Sequence, residues 1–295
     1  MTTLSAHEEL DRLHAQSARV LANALAGIGV AKLRGDLEGV SVLQERLGKD
    51  LGALMAAADL LGRRRLLLEL RAQGITLPKP EGVQRVSFAA KVPFVEAAMA
   101  ILQRYPILAE GWIATRDAWE ARGFALALST SLTITKKVRE TFVRSLRGGL
   151  GEEEAVTRIQ MQLREGNDSI TRAYADTVFR TVTSSAYTEG RAAQARRPAV
   201  QRAASGWRYV VTNDVDLRSN HKAGEDLIAH VDDPVWSLHA PPNGYNCRCA
   251  LEIVPTSEMV ALGLSHPGGA VARFVQAPPG FVPDPGFTGR RALIP

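Results

Sequence analysis

Residues 241–249 read Pro-Pro-Asn-Gly-Tyr-Asn-Cys-Arg-Cys and hold both cysteines of the 295-residue chain. Upstream lie His221, His230 and His239, with Asp232, Asp233 and Trp236 among them. Four of the six histidines fall between positions 221 and 266, so metal-binding side chains crowd into one short stretch. Zinc takes four N or S ligands in a tetrahedron, with Zn–S about 2.3 Å and Zn–N about 2.0–2.1 Å. Cys247, Cys249 and His221 supply three such ligands, and His230 or His239 is the candidate for the fourth. The same residues allow a second chemistry, metal-dependent cleavage of nucleic acid, with His221 as general base and Asn246 orienting it. A third reading has no chemistry at all, because buried thiols pack like small hydrophobes. A disulfide between the two is disfavoured: residues i and i+2 of an extended backbone lie near the far limit of Cα separation for an S–S bond.

Proline fixes φ and removes a backbone donor, so Pro241 and Pro242 place the cysteines in neither a helix nor a central strand. Trp236 and the two prolines are expected to form the apolar body of a turn-rich core, with Gly244 taking positive φ at the turn. Arg248, between the cysteines, points to the other side of the chain. Asp214, Asp216 and Asp232 are its candidate partners in a carboxylate fork that would pin the loop; the alternative is a solvated guanidinium.

These residues need elements to hold them. The aromatic and β-branched run after Gly206 predicts a strand over about 207–212, and Ala250–Val254 predicts a second. Earlier in the chain the patterns are helical. Ser5 and Glu8 form a capping box, followed by apolar residues at helical spacing from Leu10 to Ile28. Leu37, Val40, Leu43, Leu47, Leu51, Leu54, Ala58 and Leu61 recur in steps of three and four, which suits a bundle helix packing within the chain or a coiled-coil partner. Two Pro and a Gly within 76–82 mark a boundary. Helices are predicted around 92–105, 112–119, 133–147 and 152–164, with a short apolar run at 124–130 as strand or buried connection. The longest helix of this half runs from about 168 to 196 and ends at Pro198. Residues 256–295 hold six Pro and six Gly without periodicity and read as an extended or loosely docked arm. The expected fold is mainly α: a helical body with long helices, a small turn-rich α+β C-terminal domain and an extended C-terminal arm. The segments are a helical hairpin at 1–75, a central helical region at 83–198, the α+β domain at 199–255 and the arm at 256–295.

Composition bounds the function classes. With 45% hydrophobic and 23% charged residues the chain is globular rather than disordered. The net charge of +5 allows contact with nucleic acid and does not demand it. The basic helix at 133–147 would carry weak, salt-sensitive contact with DNA. No Gly-rich phosphate loop or stacking aromatic array supports sequence-specific binding. Glu8, Glu9 and Asp11 stand where a signal peptide needs a basic start. No stretch approaches about 18 uninterrupted apolar residues. The expectation is synthesis in the cytoplasm and no membrane contact.

Trp207, Asp214, Asp216, Arg218, His221, Gly224, Asp233, Trp236, Pro241, Pro242, Gly244, Cys247, Arg248 and Cys249 arrive in order over about forty residues. This string resembles the C-terminal domain of the phage Mu F-like minor head proteins, also called the phage head morphogenesis family. Phe179–Arg191 resembles the family's Arg-Thr helix, and Val282-Pro-Asp-Pro-Gly-Phe287 resembles the tail of its Mu-like branch. The likeness covers roughly residues 90–290, while residues 1–75 match nothing known to us. In many relatives a Cys-x-x-Cys pair stands where this chain has Arg218 and His221. The resemblance implies a non-enzymatic minor capsid protein of a tailed phage or prophage, located inside the virion head near the portal. Its implied role is head assembly and DNA packaging or delivery, with the portal protein and other head proteins as partners and packaged DNA as a non-specific contact. It implies no catalytic residue and no required cofactor, and it leaves zinc open. Docking is expected on the helical body, residues 1–198, whose amphipathic helices offer the longest apolar stripes.

Overall fold

A computed structural model of the chain describes residues 23–31, 36–77, 154, 157, 158, 161 and 172–287. The capping box at 5–8, the helices expected at 92–105, 112–119 and 133–147, and the apolar run at 124–130 lie outside the described residues. Helix α1 spans Leu37–Ala72. The Asp36 side chain accepts a 2.8 Å hydrogen bond from the Gly39 amide, satisfying one free donor of the first turn. Beyond the last turn, Gly74 takes φ 75°, the left-handed conformation that closes many helices. The heptad-like stripe is the buried face of this helix: Val40, Leu47, Leu51, Leu54 and Ala58 are all buried, and only its first member, Leu37, is well exposed.

The partner of α1 lies in the same chain. Helix α2, Arg172–Ala195, packs along it. A Cβ on Gly62 would strike the Tyr187 carbonyl, and one on Gly190 the Asp59 carbonyl, so these two glycines let the helix backbones touch. Pro198 then opens the short helix α3, Pro198–Ala203, where its missing N–H costs nothing.

A small sheet follows, built from β1 (Gly206–Val210), β2 (Ile228–His230) and β3 (Ala250–Val254). The strands are antiparallel in the order β2-β1-β3. Short helices α4 (Ser219–Lys222), α5 (Val235–His239) and α6 (Thr256–Ala261) fill the connections and the start of the tail. Alternation sets the faces. Trp207 stands opposite Ile253 and Tyr209 opposite Leu251, and all four point into the core. Glu252, between Leu251 and Ile253, is exposed.

That core crosses the segment lines drawn at 75 and 198. Leu66 and Leu70 of α1 and Ala195 of α2 pack in one cluster with Trp207, Trp236, Ile253 and Phe281. Burying each large side chain contributes about 1.5–3 kcal/mol. One charged pair spans the same seam. Arg191 donates to both Glu69 oxygens at 2.9 and 2.6 Å and to the Leu251 carbonyl at 2.7 Å, joining α2, α1 and β3.

Over its described part the expected arm is docked rather than extended. Residues 256–287 begin with α6 and then fold back on the domain. The Val275 amide donates to Asp233 Oδ2 at 2.9 Å, and Phe281 is 1% exposed. A tail docked through single anchors has no apolar period, which is why its pattern reads as loose. No helix among the described residues is long and apolar enough to cross a membrane.

Candidate functional site

His221 enters the site from α4, whose first turn closes through the bond from its amide to the Arg218 carbonyl. The cysteines enter from the loop between α5 and β3. That loop is pinned by Thr212, which donates to the Arg248 carbonyl at 3.0 Å. His221 Nδ1 lies 3.7 Å from Cys247 Sγ and 3.8 Å from Cys249 Sγ. The three ligand atoms are all within 4.8 Å of one another. His221 and Cys247 are buried and Cys249 is half-buried; both thiols are free. A small pocket beside them, touched by Thr212, Asp214 and Asn246, has room for a single ion or water.

The far side of the imidazole meets Asp284, a residue of the tail. His221 Nε2 is 3.2 Å from Asp284 Oδ1. The geometry does not close a hydrogen bond at that oxygen. Asp284 is itself held on several sides. Asn220 Nδ2 donates to Oδ1 at 3.1 Å, Arg218 Nε lies 3.2 Å from Oδ2, and the Asp284 amide donates to the Asn243 carbonyl at 2.8 Å.

The electrostatics make the two cysteines unequal. The Cys249 thiol, donating to Cys247, holds the Cys247 sulfur well below the usual thiol range; burial opposes this and His221 reinforces it. The same contact, followed by burial, pushes Cys249 up. The contact between them thus favours the proton on Cys249 over Cys247. Burial pulls His221 down, but Cys247 and then Asp284 outweigh it, and its pKa is raised. The neighbouring Tyr209 hydroxyl is pushed up by burial and by the cysteines. It accepts a 3.0 Å bond from Asn243.

Several expectations about this site are corrected. His230 and His239 do not join the group as a fourth ligand. His230 Nε2 is bonded to the Gly269 carbonyl at 2.8 Å, and its Nδ1 accepts from the Asp232 amide at 3.1 Å. The His239 ring lies tilted on Phe281, with centroids 4.6 Å apart, and burial lowers its pKa. Asn246 does not orient His221. Its side chain donates to Thr177 at 3.3 Å and its amide to Thr181 at 3.5 Å, so it ties the loop to α2. Gly244 is not the positive-φ residue; Asn246 is, at φ 58°. Gly244 is needed because a Cβ there would strike the Asp284 carboxylate. A Cβ on Gly224 would likewise enter the Phe281 ring.

The remaining motif residues hold the unit together. Arg248 Nη2 sits 2.6 Å from Asp214 Oδ2 and 3.0 Å from Asp216 Oδ2, so one guanidinium nitrogen lies between two carboxylates. Asp232 takes no part in this contact and accepts instead from Gln201 at 2.6 Å. Arg218 donates to the Tyr245 carbonyl at 2.7 Å. Trp236 is buried and donates through Nε1 to the His230 carbonyl at 2.9 Å. Asp233 binds the Val235 amide with one oxygen and the Val275 amide with the other. Pro241 and Pro242 are buried and joined by a cis peptide bond. Trp207 lies under the Arg191 guanidinium, 5.4 Å from its ring centroid. Sequence reasoning missed Asp284, Phe281 and the Glu69–Arg191 pair. The Pro-Asp-Pro-Gly run was the one available pointer to Asp284.

The family described as "Phage Mu protein F like protein" matches residues 136–252. This part of the chain is similar to the Mu F proteins. The "Putative capsid assembly protein F" of Escherichia phage Mu is 26% identical over 208 residues, covering 65% of this chain and 47% of that protein. The "Mu-like prophage FluMu F protein" of Haemophilus influenzae is 29% identical over 168 residues, covering 52% of this chain and 40% of that protein. The chain thus spans less than half the length of these curated relatives. No solved structure matches. The Mu F-like region includes β1, His221, Trp236 and both cysteines and ends inside β3; the tail with Phe281 and Asp284 lies beyond it.

Proposed function

We propose that this chain is a structural, non-enzymatic component of a tailed-phage or prophage head, acting in head assembly. The observation that carries the reading is the Mu F-like match over 136–252, together with relatives named for capsid assembly. The geometry supports it in one respect. Arg248, Trp236, Asp233, Gly224 and Gly244 each serve a contact that holds loop, helix and tail together. We place the protein inside the virion near the portal, with the portal and other head proteins as partners, a part in DNA packaging or delivery, and at most non-specific contact with DNA. The test is to delete the gene from the phage or prophage that carries it and count filled heads. Purified heads, with and without portal, are then searched for the protein by mass spectrometry. The protein should be present in wild-type heads, depleted from portal-less heads, and needed for normal head yield. Its absence from heads would sink the proposal. Cleavage of DNA by pure protein with Mg²⁺, Mn²⁺ or Zn²⁺ that disappears in His221→Ala would replace it with the nuclease reading.

A further inference from the structure

We propose that His221 Nδ1, Cys247 Sγ and Cys249 Sγ form a zinc site, and that Asp284 holds the imidazole in its ligating orientation. The inference stands independently of the role in head assembly. Zn–S bonds of about 2.3 Å and Zn–N bonds of about 2.0 Å, set at tetrahedral angles, put N and S about 3.5 Å apart. The two observed separations are 3.7 and 3.8 Å, so closing on an ion needs movements of a few tenths of an ångström.

The proton pattern also suits the ion. A neutral imidazole binds metal through the nitrogen that lacks the proton, and the proton is fixed by whatever the other nitrogen faces. Here Nε2 faces a carboxylate, and Nδ1 faces the two sulfurs. Ligating histidines commonly present their second N–H to a carboxylate, which fixes the ring and raises its basicity. Asp284 Oδ1 lies 3.2 Å from Nε2, so a shift of the ring or the carboxylate on metal binding is what closes this bond, and Arg218, Asn220 and the space left by Gly244 keep Asp284 in place for it. Two thiolates balance the charge of the ion. An ion placed between them would replace the direct contact of the buried Nδ1 with the buried Cys247 sulfur, and its binding would release thiol protons. The fourth position opens toward the small pocket beside Thr212 and Asn246, where a water completes the tetrahedron. Such an ion joins α4 to the cysteine loop directly, and to the tail through Asp284.

The full chain, reduced and purified without chelator, should carry about one zinc per molecule by plasma mass spectrometry. After chelation it should take up one Co²⁺, with the visible bands of a tetrahedral ion and near-ultraviolet thiolate-to-cobalt charge transfer. Cys249→Ser should remove about half of that charge transfer, and His221→Ala should abolish the tetrahedral bands. Asp284→Asn should weaken cobalt binding about 10–100-fold while leaving the bands in place, the behaviour of a positioning residue rather than a ligand. Folded, reduced wild-type protein that takes up neither zinc nor cobalt would overturn the site, and this holds even where a cysteine variant fails to fold. Cobalt spectra unchanged in Cys249→Ser would overturn the ligand set.

Discussion

Arg191→Met removes a guanidinium that is 2% exposed and leaves an apolar side chain of similar reach. Three short hydrogen bonds go with it, two to Glu69 and one to the Leu251 carbonyl. The stacking of Arg191 over Trp207 goes too. Glu69 Oε1 keeps its 3.0 Å bond from Arg65, but Oε2 is left with the Ile253 amide at 3.5 Å. Removing one member of a buried ion pair costs about 3–5 kcal/mol, because the other charge stays behind unsatisfied. Exchanging both members for apolar residues costs much less. Glu69→Met with Arg191→Met should therefore recover most of the loss, leaving about 1–3 kcal/mol for the orphaned Leu251 carbonyl. Urea unfolding followed by tryptophan fluorescence reads the effect directly, with the m-value as a check that the folded state is unchanged. The pair should also mark the acid limb of stability. Burial pushes the Glu69 carboxyl up, but Arg191 and then Arg65 outweigh it and hold it below its ordinary value. A depressed carboxyl stabilises the fold above its unfolded pKa, about 4.5, and that share is lost as pH falls through the folded value. The double variant should lack this share. A loss below about 1 kcal/mol in Arg191→Met, or a double variant no better than the single, would refute the reasoning.

Trp236→Ala should cost about 3–5 kcal/mol in the same assay, since the buried ring and its bond to the His230 carbonyl are both lost; under about 1 kcal/mol, the ring would not be a core residue. Gly224→Ala forces the Phe281 ring out of place and should cost about 1–3 kcal/mol. Combined with Phe281→Ala it should cost less than the sum of the two, because both act on one contact; strict additivity would count against tail docking. Burial lowers the pKa of His239, so the unfolded chain protonates first as pH falls below about 6.5 and stability drops with it. His239→Phe should flatten the urea midpoint between about pH 5.5 and 7.5, and an unchanged slope would place the titration elsewhere.

What the sequence made legible follows the range of the interactions involved. The stripe from Val40 to Ala58 is a local pattern with a clear period, and it is the buried face of α1. β3 runs over the residues expected, Ala250–Val254. β1 stops at Val210 rather than 212, because Val210 pairs with Ala250 and the ladder of β3 begins there. The end of that strand is set by its neighbour, forty residues away, and not by its own composition. β2 has three residues, too few for a period to show. At the site, donor chemistry marked His221, Cys247 and Cys249 as a group, and the fold brings them together. It could not choose among histidines. His230 is nearer the cysteines in sequence, yet β2 turns its ring toward Gly269. Asp284, far downstream, is the residue that reaches His221.

Arg191 and Asp284 have the same logic. Each is one charged residue that several distant segments converge on, and each converts separate stretches of chain into one body. This changes how the division of labour between helices and C-terminal unit can be examined. Leu66 and Leu70 of α1, together with Ala195 of α2, are covered by Trp207, Ile253 and Phe281. Cutting the chain at 198 strips that cover and leaves Glu69 and Arg191 without the β3 backbone groups they bind. A fragment of residues 1–198 therefore presents core surface, and its failure to join heads would report lost folding rather than a lost contact. Docking is better located on the full chain by single changes at exposed apolar positions. Leu37 and Val42 on α1 and Val215 and Tyr245 around the cysteine loop are such positions, since none of them supports the core.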